Sequence, residues 1–265
     1  MLNKAKIGLL NLGLKFISVD EKLVRIFLET FPQNLREIVI LPVTKIAMQE
    51  IIHRMGNSHS QYGLVHNGFI SGVAVSAIRC QMGAPYAAIM MECLKRCGVK
   101  KVLRCDYAGS ISDKVQMGDL IIPELAYGGD GTTPHYHSTR DSNITYPIFS
   151  GSKGILNALW RAAQKIAYPC HMAKIMSTDA LFRETPEKIS AWQSVGADSV
   201  DMETSAIYCL GNLFNIQTGA ILAISDKPNT TYDLIHSNKV HESLGYALQT
   251  AINVVVSALP EIKLL

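Results

Sequence analysis

Charge is scarce in this chain of 265 residues: 18% of it is Asp, Glu, Lys or Arg, below the usual quarter, and the net charge is +3. A balance so close to neutral, with no basic run interleaved with aromatics, excludes the electrostatic footprint of a nucleic-acid binder. A small-molecule partner is expected instead. No apolar run approaches membrane-spanning length, and Met1 to Asn11 lacks the apolar core and small-residue cleavage site of a secretion signal. A cytoplasmic protein with no membrane partner is therefore expected. Cys80, Cys93, Cys97, Cys105, Cys170 and Cys209 form no C-x-x-C pair and have no nearby His-ligand pattern, which predicts reduced thiols and no bound metal. Cys93 and Cys97, one helical turn apart, read as helix packing. A linker, an internal repeat and a low-complexity tract are also missing, so residues 1–265 read as one domain.

What is present is an apolar share of 48%, enough for a sizeable core. Together with the low charge it leaves surface to be covered in an oligomer. Apolar runs bounded by turn residues recur at Ile7–Leu10, Ile38–Leu41, Val73–Ile78, Val102–Arg104, Leu120–Ile122 and Ala220–Ile224, and they read as buried strands. Helical patterns lie between them at Ala87–Cys97, closed by Gly98, at Gly154–Ile166 and at Met202–Leu213. A last helical pattern, Asn238–Ala258, is expected to stop short of Pro260. Alternating strands and helices predict an α/β fold, a three-layer αβα arrangement around a mixed central sheet.

Two carboxylates stand where such a fold meets its ligands, at strand ends and helix starts. Glu203 follows Met202 just ahead of a helix, and Asp226 follows Ser225 at the end of the next strand. Upstream run Gln81-Met82-Gly83-Ala84-Pro85, Arg104-Cys105-Asp106-Tyr107-Ala108-Gly109-Ser110, Gly118-Asp119-Leu120 and Asp130-Gly131-Thr132-Thr133-Pro134-His135-Tyr136. In order and spacing these segments resemble the nucleoside phosphorylase and nucleosidase family signatures G-M-G-x-P, I-R-x-G-[ST]-x-G, V-G-D-[LI] and E-G-T-x-x-[HY], over roughly residues 38 to 258. The resemblance implies a nucleoside substrate with phosphate as co-substrate, no other cofactor, and a homo-oligomer, a dimer or a hexamer of three dimers.

Cleaving a ribosyl C1′–N bond builds positive charge on the sugar while electrons move onto the base. By resemblance, Glu203 holds the 2′- and 3′-hydroxyls, although a lone glutamate there also suits a helix dipole. Met202 packs on the sugar or fills the core. Asp226 is the expected general acid toward a purine N7, since a carboxyl buried at the end of an apolar strand has a raised pKa; a turn aspartate before Pro228 is the plainer alternative. Ser225 beside it leans the reading toward purine. Phe182 falls where the family presents a ring to the base, with core packing equally open. Lys239 falls near the position of the arginine that closes on the base in purine phosphorylases, and a solvated lysine is the simpler reading. His135 and Tyr136 read as structural.

The phosphate signals depart from the family. The loop P-G-D-P-x-R is here Pro42-Val43-Thr44-Lys45-Ile46-Ala47, so the amide-exposing glycine is Val43 and the phosphate arginine is Ala47. Gln61 stands where a neighbouring subunit's arginine is expected, and Asp106 and Tyr107 replace the glycine and hydroxyl residue after Arg104. Arg104, with Tyr107 beside it, is the remaining phosphate-binding candidate. A salt bridge from Arg104 to Asp106 or Glu92 is the structural alternative. Three functions follow: a phosphorylase giving free base and ribose 1-phosphate, a hydrolytic nucleosidase with Asp106 activating water, and an inactive nucleoside-binding relative.

Overall fold

The computed structural model describes residues 17–137, 145–231, 233 and 241–265. Its helices and strands follow in chain order: α1 (Val19–Leu28), β1 (Ile38–Ile40), α2 (Lys45–Met55), β2 (Ser60–Tyr62), β3 (Val65–Ile70), β4 (Val73–Ile78) and α3 (Ala84–Arg96). Next come β5 (Lys101–Ser110), β6 (Leu120–Gly129), α4 (Thr133–Tyr136), β7 (Ile148–Ser150), α5 (Lys153–Ile166) and β8 (Cys170–Thr178). The chain finishes with α6 (Pro186–Ser194), β9 (Ser199–Asp201), α7 (Thr204–Phe214), β10 (Gln217–Asp226) and α8 (Leu244–Leu264).

The ten strands form a mixed sheet, as expected. β5 runs parallel to β1 and β10, and meets β9 antiparallel at its end, Gly109 opposite Val200. β10 pairs antiparallel with β6, β6 parallel with β8, and β8 parallel with β9. The path β5-β10-β6-β8-β9 therefore returns to β5 and closes a five-stranded ring. From β5 an open wing continues through β1, β4, β3 and β2.

Helices cover both faces of the sheet. Along β10, Ala220, Leu222 and Ile224 join a core shared with α1, α3 and α7, while Ile221 and Ala223 join the core beneath α2, α5 and α8. Successive strand residues point to opposite faces, so a strand covered twice reads as a continuous apolar run, which is what makes Ala220–Ile224 visible in sequence.

Two expectations need correction. α8 runs through Pro260 to Leu264 instead of stopping before it. Proline has no N–H for the carbonyl four residues earlier, and that carbonyl, of Val256, accepts a hydrogen bond from Ser71 Oγ at 3.0 Å, so the orphaned acceptor has a partner. α7 begins at Thr204, two residues after the predicted start. The strand expected at Ile7–Leu10 lies outside the described residues.

Candidate active site

The carboxyl ends of β5, β9 and β10 and the start of α7 meet at a cavity of about 290 Å³. Arg104, Tyr107, Met202, Glu203, Ser225 and Asp226 all line it, so six of the seven site residues read from sequence are brought together. Phe182 is not among them: it is 78% exposed, and its neighbour Leu181 lines the cavity instead. Both belong to the 3₁₀ turn Leu181–Arg183. With three residues per turn, adjacent side chains there point about 120° apart, so one ring facing solvent leaves its neighbour facing in. Lys239 lies outside the described residues.

Glu203 occupies the residue just before α7, yet it does not cap the helix. Asp201 does so, accepting from the Thr204 backbone N–H at 3.1 Å and from Thr204 Oγ at 2.5 Å. The Glu203 carboxylate is thereby left to the cavity. Its Oε1 accepts from the Gly83 N–H at 2.7 Å and its Oε2 from Arg104 Nη2 at 2.6 Å. A carboxylate has about four acceptor positions, so about two remain for a ligand.

Arg104 is almost wholly buried between two carboxyl groups, with Nη1 3.1 Å from Asp201 Oδ2. The salt-bridge alternative is therefore realised with different partners from those expected: Asp201 and Glu203 take the places offered to Asp106 and Glu92. Glu92 pairs with Arg96. Burial works against the guanidinium charge, but Asp201, Glu203 and Asp106 outweigh it and hold the group firmly charged. Arg104 Nε and Nη1 are buried and make no hydrogen bond among the described residues, Nη1 being held only by its ion pair with Asp201.

The Asp106 carboxylate, from β5, reaches the loop that the family resemblance assigns to phosphate. Its Oδ2 accepts from the backbone N–H groups of Val43 at 2.5 Å and Thr44 at 2.8 Å, and its Oδ1 from that of Tyr107 at 2.9 Å. Thr44 caps α2, so the carboxylate sits against the N-terminal approach to a helix, a place that favours an anion. Tyr107, beside it, has its phenol pushed up to about 12 by burial and the nearby Asp106.

Asp226 ends β10 after a register shift that follows Ile224, opposite Gly109. A Cβ on Gly109 would approach Asp226 Oδ2 to 3.3 Å and Val200 to 3.0 Å, so the glycine leaves room for the carboxyl. Burial raises the Asp226 pKa; donation from Ser225 Oγ at 2.6 Å opposes the rise, and Asp233 adds to it. Glu184, absent from the sequence reading, lines the same cavity. Burial, with Asp226 and Asp233 as like charges, pushes it up to about 8.

The architecture and its lining define an α/β protein with an acid-rich cavity at strand ends, in which the single lining arginine is already neutralised. The profile of the phosphorylase superfamily matches residues 41–260, and the chain belongs to that family, one of enzymes that includes phosphorylases and nucleosidases. The guanosine phosphorylase of Halorubrum lacusprofundi is 26% identical over 196 residues, 72% of this chain and 78% of the relative. Among solved structures, the purine nucleoside phosphorylase of Toxoplasma gondii in complex with immucillin-H superposes with a TM-score of 0.76 at 18% identity, covering 89% of this chain and 95% of that one. The AMP nucleosidase of Bacteroides thetaiotaomicron gives 0.71 at 21% identity, covering 92% and 96%. These two likenesses support the fold. No helix among the described residues is long and apolar enough to cross a membrane.

Proposed function

We propose that this protein hydrolyses the N-glycosidic bond of a nucleoside, preferring a purine base, with water in place of phosphate. The observation that carries the choice of nucleophile is the Asp106 carboxylate bound to the Val43 and Thr44 amides. An anion built into the chain already uses the donors that the family loop offers to phosphate. A second anion placed about 4 Å away would meet about 4 kcal/mol of repulsion per unit charge at an effective dielectric of about 20. The one lining cation among the described residues, Arg104, cannot offset this, being shared by Asp201 and Glu203.

In this reading the remaining acceptors of Glu203 take the ribose hydroxyls and favour positive charge on the sugar, while Met202 covers the sugar face. Asp226, whose pKa burial raises, donates to the purine as the C1′–N bond breaks and the bonding pair moves to the base. Asp106 retains about one free acceptor position, which takes a proton of the attacking water. Attack at C1′ then gives free ribose and free base. The same reading has the protein working in the cytoplasm as a homo-oligomer, either a dimer or three dimers in a ring.

The test is a panel of inosine, adenosine, guanosine and uridine incubated with and without phosphate, with the sugar product identified. Base and free ribose at a rate indifferent to phosphate support the proposal. Ribose 1-phosphate as the product restores phosphorolysis, the expectation placed first from sequence. Binding without release of base from any substrate points to the inactive relative.

A further inference from the structure

Three carboxyl groups gather beyond the end of β10: Asp226 and Glu184 line the cavity, and Asp233 lies close enough for its charge to act on both. Asp226 ends β10, Glu184 follows the 3₁₀ turn Leu181–Arg183, and Asp233 lies buried just beyond β10. Asn229 stitches these segments together, donating its backbone N–H to Asp233 Oδ2 at 2.7 Å and its side-chain Nδ2 to the Glu184 carbonyl at 3.4 Å. The turn that carries Glu184 is therefore fixed to the strand end that carries Asp226.

No cation among the described residues lining the cavity pairs with Asp226 or Glu184. Arg104 is held by Asp201 and Glu203, Lys227 lies 2.8 Å from Asp113, and Arg183 on the same turn as Glu184 is exposed. The other titratable groups lining the cavity are Asp106, fixed on backbone amides, and Tyr107. Like charges in a partly dry space cannot all ionise, so such a group retains a proton that a solitary carboxyl would lose.

We propose that Glu184 and Asp226 act as one acid, a carboxyl pair that keeps a single proton for the departing base, with Asp226 meeting the base and Glu184 acting through it. The inference rests on the hydrolase reading for its chemistry and on the cavity for its geometry. The proton passes from the pair to a base nitrogen as the C1′–N electron pair arrives there. The water that adds to C1′ gives its proton to Asp106, which releases it to solvent, and the pair regains a proton from solvent. Burial, helped by the charges of Asp226 and Asp233, pushes Glu184 up to about 8, and this makes Glu184 the resident site of the proton around neutrality. Asp226 alone, however raised by burial, has no such reserve.

Infrared or isotope-labelled carboxyl NMR titration of the unliganded full chain tests the pair without relying on turnover. Wild type is expected to show a carboxyl titrating near pH 8 that Glu184→Gln removes. Asp226→Asn, which deletes the like charge, is expected to lower the Glu184 titration by about one unit or more. A Glu184 that titrates as an ordinary carboxylate, or one that Asp226→Asn leaves unmoved, overturns the pair. In kinetics, Glu184→Gln is expected to shift the alkaline limb of kcat/KM to lower pH, with Glu184→Asp restoring part of the shift. Cleavage by wild type with an unchanged profile in Glu184→Gln overturns the catalytic half of the inference. Failure of wild type to cleave any nucleoside overturns the hydrolase reading and the proton's destination, while the titration still decides whether the carboxyls share it.

Discussion

Replacing Asp106 with alanine removes a charged acceptor from three backbone donors, those of Val43, Thr44 and Tyr107. Hydrogen bonds to a charged group contribute about 1.5–3 kcal/mol each, but they share one side chain, and water entering the vacated space satisfies part of what is lost. The net destabilisation expected is about 3 kcal/mol, or a fall in Tm of about 6–12 °C for a chain of this size. Asp106→Asn keeps one acceptor oxygen and sets an amino group against the remaining donors, so about half that loss is expected. The informative step is the addition of phosphate. An emptied amide cradle at a helix N-terminus takes up a free anion, and with a millimolar Kd, phosphate at about fifty times that concentration stabilises the alanine variant by about 2.3 kcal/mol. Thermal unfolding of wild type and variant, in phosphate and in chloride at equal ionic strength, reads both effects. Wild type is expected to be indifferent to the change of anion, and the variant to regain most of its loss. If phosphate stabilises wild type as strongly as the variant, Asp106 is not filling the phosphate seat and the case for water as nucleophile fails.

Gly109→Ala places a methyl 3.3 Å from Asp226 Oδ2 and 3.0 Å from Val200 Cγ1; displacing the acid by a few tenths of an ångström is expected to lower kcat about tenfold or more with a smaller change in KM, read from steady-state kinetics. Stability is expected to fall as pH rises through about 8, because the folded pKa of Glu184 lies above its ordinary value and the folded protein binds more protons there than the unfolded chain. The contribution is fully present below the ordinary carboxylate range and is lost on passing upward through the folded pKa. Glu184→Gln should flatten that part of the pH profile in denaturant unfolding, gaining about 1–3 kcal/mol over wild type at the alkaline end once partial exposure is allowed for. An unchanged slope removes Glu184 from the account.

Glu203 and Asp226 stand at the start of a helix and at the end of an apolar strand, while Arg104 is the fourth residue of β5. Arg104, Glu203 and Asp226 were legible because β5, β10 and α7 are covered on both sides and announce themselves as apolar runs. β3 and β8 were missed because His66, Asn67 and Gly68 interrupt one, and Cys170, His171, Lys174 and the final Ser177-Thr178 dilute the other. Asp201 was not singled out, although its place three residues before Thr204 is a capping signal. Glu184 precedes Thr185, which caps α6, and reads as ordinary approach to a helix. The contact from Asp106 to Val43 and Thr44 spans more than sixty residues of chain, and local pattern carries no trace of such a pairing. Sequence recorded the lost glycine and arginine of the loop; folding was needed to see that a carboxylate had taken their ligand's place.

The strand ring has a consequence for the order in which the molecule comes apart. β5 is paired along both sides, with β1 and β9 on one and β10 on the other, and β10 is held by β5 and β6. Amides in such a closed girdle exchange with deuterated solvent only when the whole body opens, whereas the short turn carrying Glu184 has no ladder to hold it. Arg104 and Asp226 therefore belong to the last part of the chain to lose its shape and Glu184 to one of the first, so the proton storage proposed for Glu184 should be lost under mild stress while the strand end carrying Asp226 still holds.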